Sequence, residues 1–246
     1  MFQFFVENGH VRSGHAFITG QDVNHIRKVL RLKEGDRIRI VQKEDPDLYI
    51  CRIAGTGEEE IDCIVEEKLQ NDAELPCRIC LFQGLPKSDK MEWILQKCVE
   101  LGVSTVIPVK TEHTVVKLDA KKAEGKTQRW QAIAEAAAKQ SKRSIVPTVQ
   151  HVMTFREALA ALSALDVRLM AYEHADGMER TREILSSVRP GESVGILIGP
   201  EGGFSEEEVQ AAKQEGIEAI TLGGRILRTE TAGLTFLSWL VYLLEK

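Results

Sequence analysis

The stretch from Gly195 to Leu244, GILIGPEGGFSEEEVQAAKQEGIEAITLGGRILRTETAGLTFLSWLVYLL, constrains the fold of this chain more than any other. Two apolar runs, Val194–Ile198 and Ala219–Leu222, read as short buried strands. Each runs into a glycine-rich loop, Gly199-Pro-Glu-Gly-Gly203 and Gly223-Gly-Arg225, and each loop runs into a helix. Ser205 with Glu208 three residues on is a capping box for the first helix, and Gly216 stops it. Strand, glycine loop and helix, twice over, imply a parallel sheet, with a ligand at the carboxyl ends of its strands. Glycine lets the backbone approach a ligand closely. Both loops carry charges with no local partner: Glu201, Arg225, Arg228 and Glu230. The spacing is neither G-x-G-x-x-G nor G-x-x-x-x-G-K-[ST], so a dinucleotide fold and a P-loop are unsupported.

The chain of 246 residues is long enough for one large or two modest cores. No apolar run reaches the roughly 18 residues of a membrane span. The start, Met1-Phe-Gln-Phe-Phe-Val6, has no basic segment or cleavage site, so no signal peptide is expected. The cysteines number five and are scattered, which suits a reducing cytoplasm. Cys77 and Cys80 form a C-x-x-C on a strand, with the thiols expected on opposite faces, and no metal site is expected. Net charge is −5, yet the sign is unevenly spread. His10 to Ile40 holds seven Lys/Arg against three acids, and Lys117 to Arg143 eight against three. Such stretches can hold phosphates on an acidic protein, or be ordinary solvated faces.

Residues 1–70 are strand-rich, with candidates at Phe2–Val6, His15–Thr19, Arg37–Gln42, Leu48–Ala54 and Ile61–Glu66. Asp45-Pro46 and Gly55-Thr-Gly57 read as turns. One helix, N-capped by Asp22, is expected to run to Leu32, and the whole reads as a small β-barrel. Residues 71–76, Asn71-Asp-Ala-Glu-Leu-Pro76, read as a linker. Residues 77–246 alternate strand and helix, as a parallel α/β domain does. Within it, Ser88 is the expected cap of a helix bearing Met91, Ile94, Leu95, Cys98 and Val99, and a longer helix runs from Lys121 to Ser141. A strand is expected at Thr148–Val152. The last helix, Thr229–Glu245, is apolar nearly all round, which requires burial against the sheet and a partner subunit, or in a deep groove.

Gly199-Pro-Glu-Gly-Gly203 together with Leu222-Gly-Gly-Arg-Ile-Leu-Arg-Thr-Glu-Thr-Ala232 resembles the RsmE family, bacterial 16S ribosomal RNA (uracil-N3)-methyltransferases of the SPOUT class. Further matches are Leu85-Pro-Lys-Ser-Asp-Lys-Met-Glu-Trp-Ile-Leu-Gln-Lys97, His113-Thr-Val-Val-Lys-Leu-Asp119, Arg129-Trp130, Gln140-Ser-Lys-Arg143 and His25-Ile-Arg-Lys-Val-Leu-Arg31. Asn24 stands where family members often carry a second His, and Gly233 where they often carry Pro. The resemblance implies a trefoil-knotted parallel sheet that cradles S-adenosylmethionine (SAM), a PUA-like N-terminal barrel and a homodimer. It implies that 16S RNA or the small ribosomal subunit is the partner, with no membrane and no metal.

The matched motifs place the cofactor against Tyr172, Gly199, Pro200, Glu201, Gly202 and Gly203, and against Leu222, Gly223, Ile226, Leu227 and Arg228. RNA is assigned to Arg12, His25 and Arg31 in the barrel, and to Lys87, Lys90, Arg129 and Arg143 beyond it. Neutral uracil carries a proton at N3, so methylation there needs a base or a stabilised anion. Arg228 is expected to stabilise charge on the base carbonyls. Glu230 or Glu201 takes the proton, or both instead fix Arg225 and Arg228 by ion pairing. The rivals are a SPOUT enzyme acting on transfer RNA or ribose 2′-OH, and a non-catalytic RNA-binding protein.

Overall fold

Alternating apolar residues along Gln3–Val6 (β1), Arg37–Gln42 (β4) and Asp47–Thr56 (β5) build the core of the first half of the chain. The computed structural model describes residues 1–43, 47–70 and 72–245. The turn expected at Asp45-Pro46 and the first linker residue, Asn71, lie outside the described residues. Two compact units form, one from Met1–Glu74 with Ala138–Ile145, the other from Leu75–Ala137 with Val146–Lys246. The end of the long helix thus belongs with the N-terminal residues, inside a span expected to be all one domain.

In the first unit Val11–Arg12 (β2), His15–Thr19 (β3) and Glu60–Gln70 (β6) complete a six-stranded sheet in the order β1-β4-β5-β6-β3-β2. Only β1 and β4 pair in parallel. β1 also meets β3, so the sheet curls around Phe4, Ile18, Ile26, Ile40, Ile53 and Ile61. The expected helix from Asp22 to Leu32 is different in kind. A short α-helix, Gln21–Asn24 (α1), passes into a π-helical turn, His25–Leu30, which Arg31 ends in the left-handed region at φ 55. Asp22 is not its cap. Gly20, with φ 71, is the cap two residues earlier, and the Asp22 carboxylate instead accepts from Lys139 Nζ at 2.9 and 3.0 Å.

Arg143, expected on RNA, is only 2% exposed. Its guanidinium is paired with Glu74, whose Oε1 also accepts from the N–H groups of Ser144 and Ile145 at 2.9 and 3.1 Å. Gln3 Nε2 donates to the Arg143 carbonyl at 2.6 Å. A guanidinium buried this deeply and turned onto Glu74 does not present itself to a phosphate.

The second unit is a parallel sheet in the order β10-β8-β7-β12-β11-β13, formed by Arg78–Gly84 (β7), Thr105–Lys110 (β8), Met153–Thr154 (β10), Val167–Ala171 (β11), Ser193–Ile198 (β12) and Glu218–Ile220 (β13), with Thr148–Val149 (β9) also on β8. Of the strand expected at Thr148–Val152 only Thr148–Val149 forms, and the chain returns to another part of β8 just beyond it, at Met153–Thr154. Adjacent residues of β7 face opposite ways. Phe82 packs with Phe155–Ser163 (α4) and Glu206–Gln214 (α6), through Leu159, Leu162, Val209 and Ala212. Leu81 faces Lys90–Glu100 (α2) and Thr229–Leu244 (α7), where Gly233 lies against it and against Cys98. Ala120–Ser141 (α3) and Met178–Ser187 (α5) complete the helices, and α5 also meets α7. Ser88 does not cap α2, because at φ 57 it turns the chain and α2 begins after Asp89 without a side-chain cap. Along α7 Phe236, Leu237 and Leu240 are buried, whereas Tyr242 is 86% exposed and Leu243 is exposed as well.

Arg143→Ala is expected to cost about 3 kcal/mol or more of unfolding free energy, because it strands the Glu74 carboxylate. Urea unfolding measures it. Lys97→Ala, which removes an exposed pair with Glu100, is expected to stay within about 1 kcal/mol.

Candidate active site

Neighbouring strands β7, β12, β11 and β13 end together at Gly84, Ile198, Ala171 and Ile220. The loops that leave three of them, β11, β12 and β13, enclose a cleft of about 490 Å³. Tyr172 and Glu173 follow β11, Gly199 to Phe204 follow β12, and Thr221 to Leu227 follow β13. The loop after β12 can lie on the end of β7 because residue 84 is glycine. A Cβ there would sit 2.6 Å from the ring and the nitrogen of Pro200. Gly203 N–H donates back to Pro200 O at 3.0 Å, closing the turn.

Thr229 fastens this arrangement. Its hydroxyl donates to Gly199 O at 2.6 Å and accepts from Gln83 Nε2 at 2.8 Å. Gln83 is fully buried, and its Nε2 also donates to Gly84 O at 3.0 Å. One side chain of α7 thereby joins the ends of β7 and β12.

Charge is paired differently from expectation. Glu201 and Glu230 do not fix Arg225 and Arg228. Both lie on Lys90, whose Nζ is 3.0 Å from Glu201 Oε1 and 3.2 Å from Glu230 Oε2. The second contact is an ion pair by distance only, since its alignment leaves the buried Glu230 Oε2 without a directed hydrogen bond. Lys87 N–H donates to Glu201 Oε1 at 3.1 Å. Burial opposes the charge of Glu201, but its own backbone N–H, the Lys90 ammonium and the Lys87 N–H outweigh burial and hold the carboxyl below its ordinary range. The hydrogen bond to Glu201 in turn holds the Lys90 ammonium above its ordinary range, against burial and with help from Glu230. The reason is geometric. Lys90 stands in the first turn of α2, where a long side chain reaches both the loop after β12 and the first turn of α7, while Arg225 and Arg228 are exposed and have no side-chain partner among the described residues.

Of the residues expected on a cofactor, Tyr172, Gly199, Pro200, Glu201, Gly202, Gly203, Leu222, Gly223, Ile226 and Leu227 line the cleft. Ile226 is 85% exposed at its rim. Arg228 does not line it and sits exposed at the N-terminal cap of α7. Sequence reasoning passed over Phe204 and Thr229 as lining residues, and Gln83 and His113 as supports. Thr229 and His113 carried a signal, since Thr229 lies between Arg228 and Glu230 in the motif that pointed here and His113 opens another of the matched motifs. Of the residues expected on RNA, Arg12 is exposed with its guanidinium 5.2 Å from the centre of the Phe17 ring, and His25, Arg31 and Lys87 are exposed. Arg129 is held by Glu92 at 2.8 and 2.9 Å, and Lys90 and Arg143 are spent on ion pairs.

A carboxyl whose folded pKa lies below its unfolded one contributes stability above the unfolded value, and the contribution disappears as pH falls through the folded value. Glu201 should therefore make the protein lose stability from about pH 5 downward. Lys90→Met removes the cation that depresses it, so the stability gap between wild type and Lys90→Met is expected to narrow as pH falls. Urea unfolding at about pH 7 and about pH 3.5 measures both gaps, and an unchanged gap contradicts this pairing.

Residues 73–241 match the RNA methyltransferase domain, and residues 18–66 match the RNA methyltransferase PUA domain. The chain is 41% identical over 231 residues to ribosomal RNA small subunit methyltransferase E of Bacillus subtilis, covering 93% of this chain and 90% of that protein. It is 30% identical over 238 residues to the protein of the same name from Mesomycoplasma hyopneumoniae, covering 97% and 98%. Among solved structures it is similar to ribosomal RNA small subunit methyltransferase E from Neisseria gonorrhoeae bound to S-adenosyl methionine. There the TM-score is 0.86 at 30% identity, over 99% of this chain and 98% of that one. A parallel-sheet unit with its cleft at the strand ends, a PUA unit before it and these likenesses along nearly the whole length agree, and the chain belongs to the ribosomal RNA small subunit methyltransferase E family.

Proposed function

We propose that this protein methylates N3 of a specific uridine in 16S ribosomal RNA, with SAM as the methyl donor. The observation that carries the proposal is the cleft of about 490 Å³ walled by Gly199 to Phe204 and Thr221 to Leu227. It falls in the size range of cofactor sites. Its lining suits SAM: Leu222, Ile226 and Leu227 offer apolar surface for an adenine, the glycine loops offer backbone groups, Glu173 an anion for the cationic centres, and Arg225 a cation for the carboxylate. SAM would bring a methyl group already activated on a sulfonium.

The chain's own task is then to orient and to handle charge. Aligning N3 with the methyl is worth a large part of the barrier. Arg228 has no side-chain partner among the described residues and is free to face the base carbonyls, where negative charge grows as the N3 proton leaves. Glu201 is tied to Lys87 and Lys90 and held ionised, and Glu230 shares Lys90, so both are supports of the loops rather than proton acceptors. N3 lies on the Watson–Crick edge, so the uridine must be unpaired or turned out of its helix. The first unit holds the RNA backbone through Arg12, His25 and Arg31, which supplies register more than base choice.

The same proposal includes a homodimer in the cytoplasm and a knot. The exposed Tyr242 and Leu243 on α7 support the dimer, since an uncovered apolar helix end is a surface for a second copy. Five buried, unpaired cysteines support a reducing compartment. The bond from Thr229 to Gly199 supports a threaded C-terminus, because it fixes the chain entering α7 against the loop after β12.

The test is to incubate the protein with SAM and small-subunit RNA, and to identify the product by mass spectrometry. N3-methyluridine is the expected product, and ribose 2′-O-methylation or modification of transfer RNA overturns the assignment. Arg228→Ala is expected to keep SAM binding in calorimetry while methyl transfer falls by roughly a hundredfold or more.

A further inference from the structure

Gly202 and Gly203 are adjacent glycines in the wall of the cleft, so the peptide between them can flip at little steric cost. The structure holds that peptide at both ends. Its N–H, from Gly203, donates to Pro200 O at 3.0 Å. Its carbonyl, from Gly202, accepts from His113 Nδ1 at 2.9 Å. A carbonyl can only accept, which fixes the proton on Nδ1. His113 also explains why residue 202 is glycine. A Cβ on Gly202 would lie 2.8 Å from the His113 Cβ.

His113 is itself held in place. It follows β8 in a turn closed by Thr111 N–H on Thr114 Oγ1 at 2.9 Å and by Thr114 N–H on Thr111 O at 3.1 Å. From the same turn Glu112 N–H donates to Glu208 Oε1 at 2.8 Å. Glu208 Oε2 meanwhile accepts from Ser205 N–H at 3.1 Å in the capping box of α6. The turn therefore grips the loop after β12 at Gly202 and again at the start of α6. Neither His113 nor Glu112 lines the cleft.

We infer that His113 is a positioning residue of the cofactor loop, which selects one orientation of the Gly202–Gly203 peptide and so presents the loop in its SAM-binding form. The inference rests on reading the cleft as the SAM site. His113 acts through Gly202 and needs no contact with substrate or cofactor.

Three substitutions test it. His113→Phe keeps a ring and a Cβ but has no donor, and His113→Ala removes the ring. Both are expected to weaken SAM binding roughly tenfold in calorimetry, the size of one lost hydrogen bond, with kcat at saturating SAM changed far less than the KM for SAM. In His113→Asn the amide nitrogen stands where Nδ1 stood, so affinity is expected within about twofold of wild type. Exchange of the Gly203 amide is the second readout, taken without SAM. It is expected to be faster in His113→Phe and restored in His113→Asn. Wild-type affinity in His113→Phe, or failure of His113→Asn to restore it, overturns the inference. If the wild type binds no SAM, the cofactor reading fails. The amide exchange then decides the role of His113 alone, and equal exchange in wild type and His113→Phe overturns it.

Discussion

The hydroxyl of Thr229 is the contact on which the cleft depends. It donates to Gly199 O and accepts from Gln83, whose amide also reaches Gly84 O. These groups come from the ends of two neighbouring strands and the first turn of the last helix. Gln83, Gly84 and Thr229 are buried and Gly199 is half-buried, and a missing partner there costs more than a made bond gains. The three segments therefore move together or not at all. The loop after β13 has to deliver Thr229 to that point, and in doing so Thr221 to Leu227 become a wall of the cleft.

Charge around this pin is divided between structure and chemistry. Lys90 serves two carboxylates, Glu201 from the loop after β12 and Glu230 from the first turn of α7. With one cation satisfying both acids, Arg225 and Arg228 remain without side-chain partners among the described residues. Had the acids paired with those arginines, the positive groups nearest the cleft would have been neutralised. A cation placed in the helix that follows β7 thus leaves two others free at the rim. Arg143 and Glu74 show the opposite case, a buried pair saturated by neighbouring N–H groups that serves stability alone.

Much of this was legible in the sequence where a local rule operates. The capping box of Ser205 and Glu208, the stop at Gly216, and the bounds of His15–Thr19 and Arg37–Gln42 follow from neighbours a few residues apart. The cleft lining could be read because two glycine loops end two strands of one parallel sheet, β12 and β13, on either side of β11. What was not legible is set by partners far away in the chain. Asp22 looks like a cap because aspartate caps helices, but Lys139 takes its carboxylate. Basic residues near one another in sequence look like one phosphate-binding face, yet Lys90, Arg129 and Arg143 each find an acid. Periodicity cannot say whether a lysine near a loop is free or spent.

The glycines carry the same lesson further. Sequence logic assigns glycine in a strand-end loop to close approach of a ligand. At two such positions the approach is made by the protein. Gly84 is small because Pro200 lies on it, and Gly202 because His113 lies on it. The cleft is therefore shaped from behind as well as from within: a layer of backbone contacts sets where the loops stand before any ligand arrives. A substitution such as Gly202→Val would collide with His113 first, so loss of cofactor binding in that variant would report on the support of the loop and not on contact with the cofactor. Thr229, Lys90 and His113 each hold the loop after β12 from a different element, and that convergence makes a pre-formed cleft possible in a segment rich in glycine, the residue that loses most freedom on ordering.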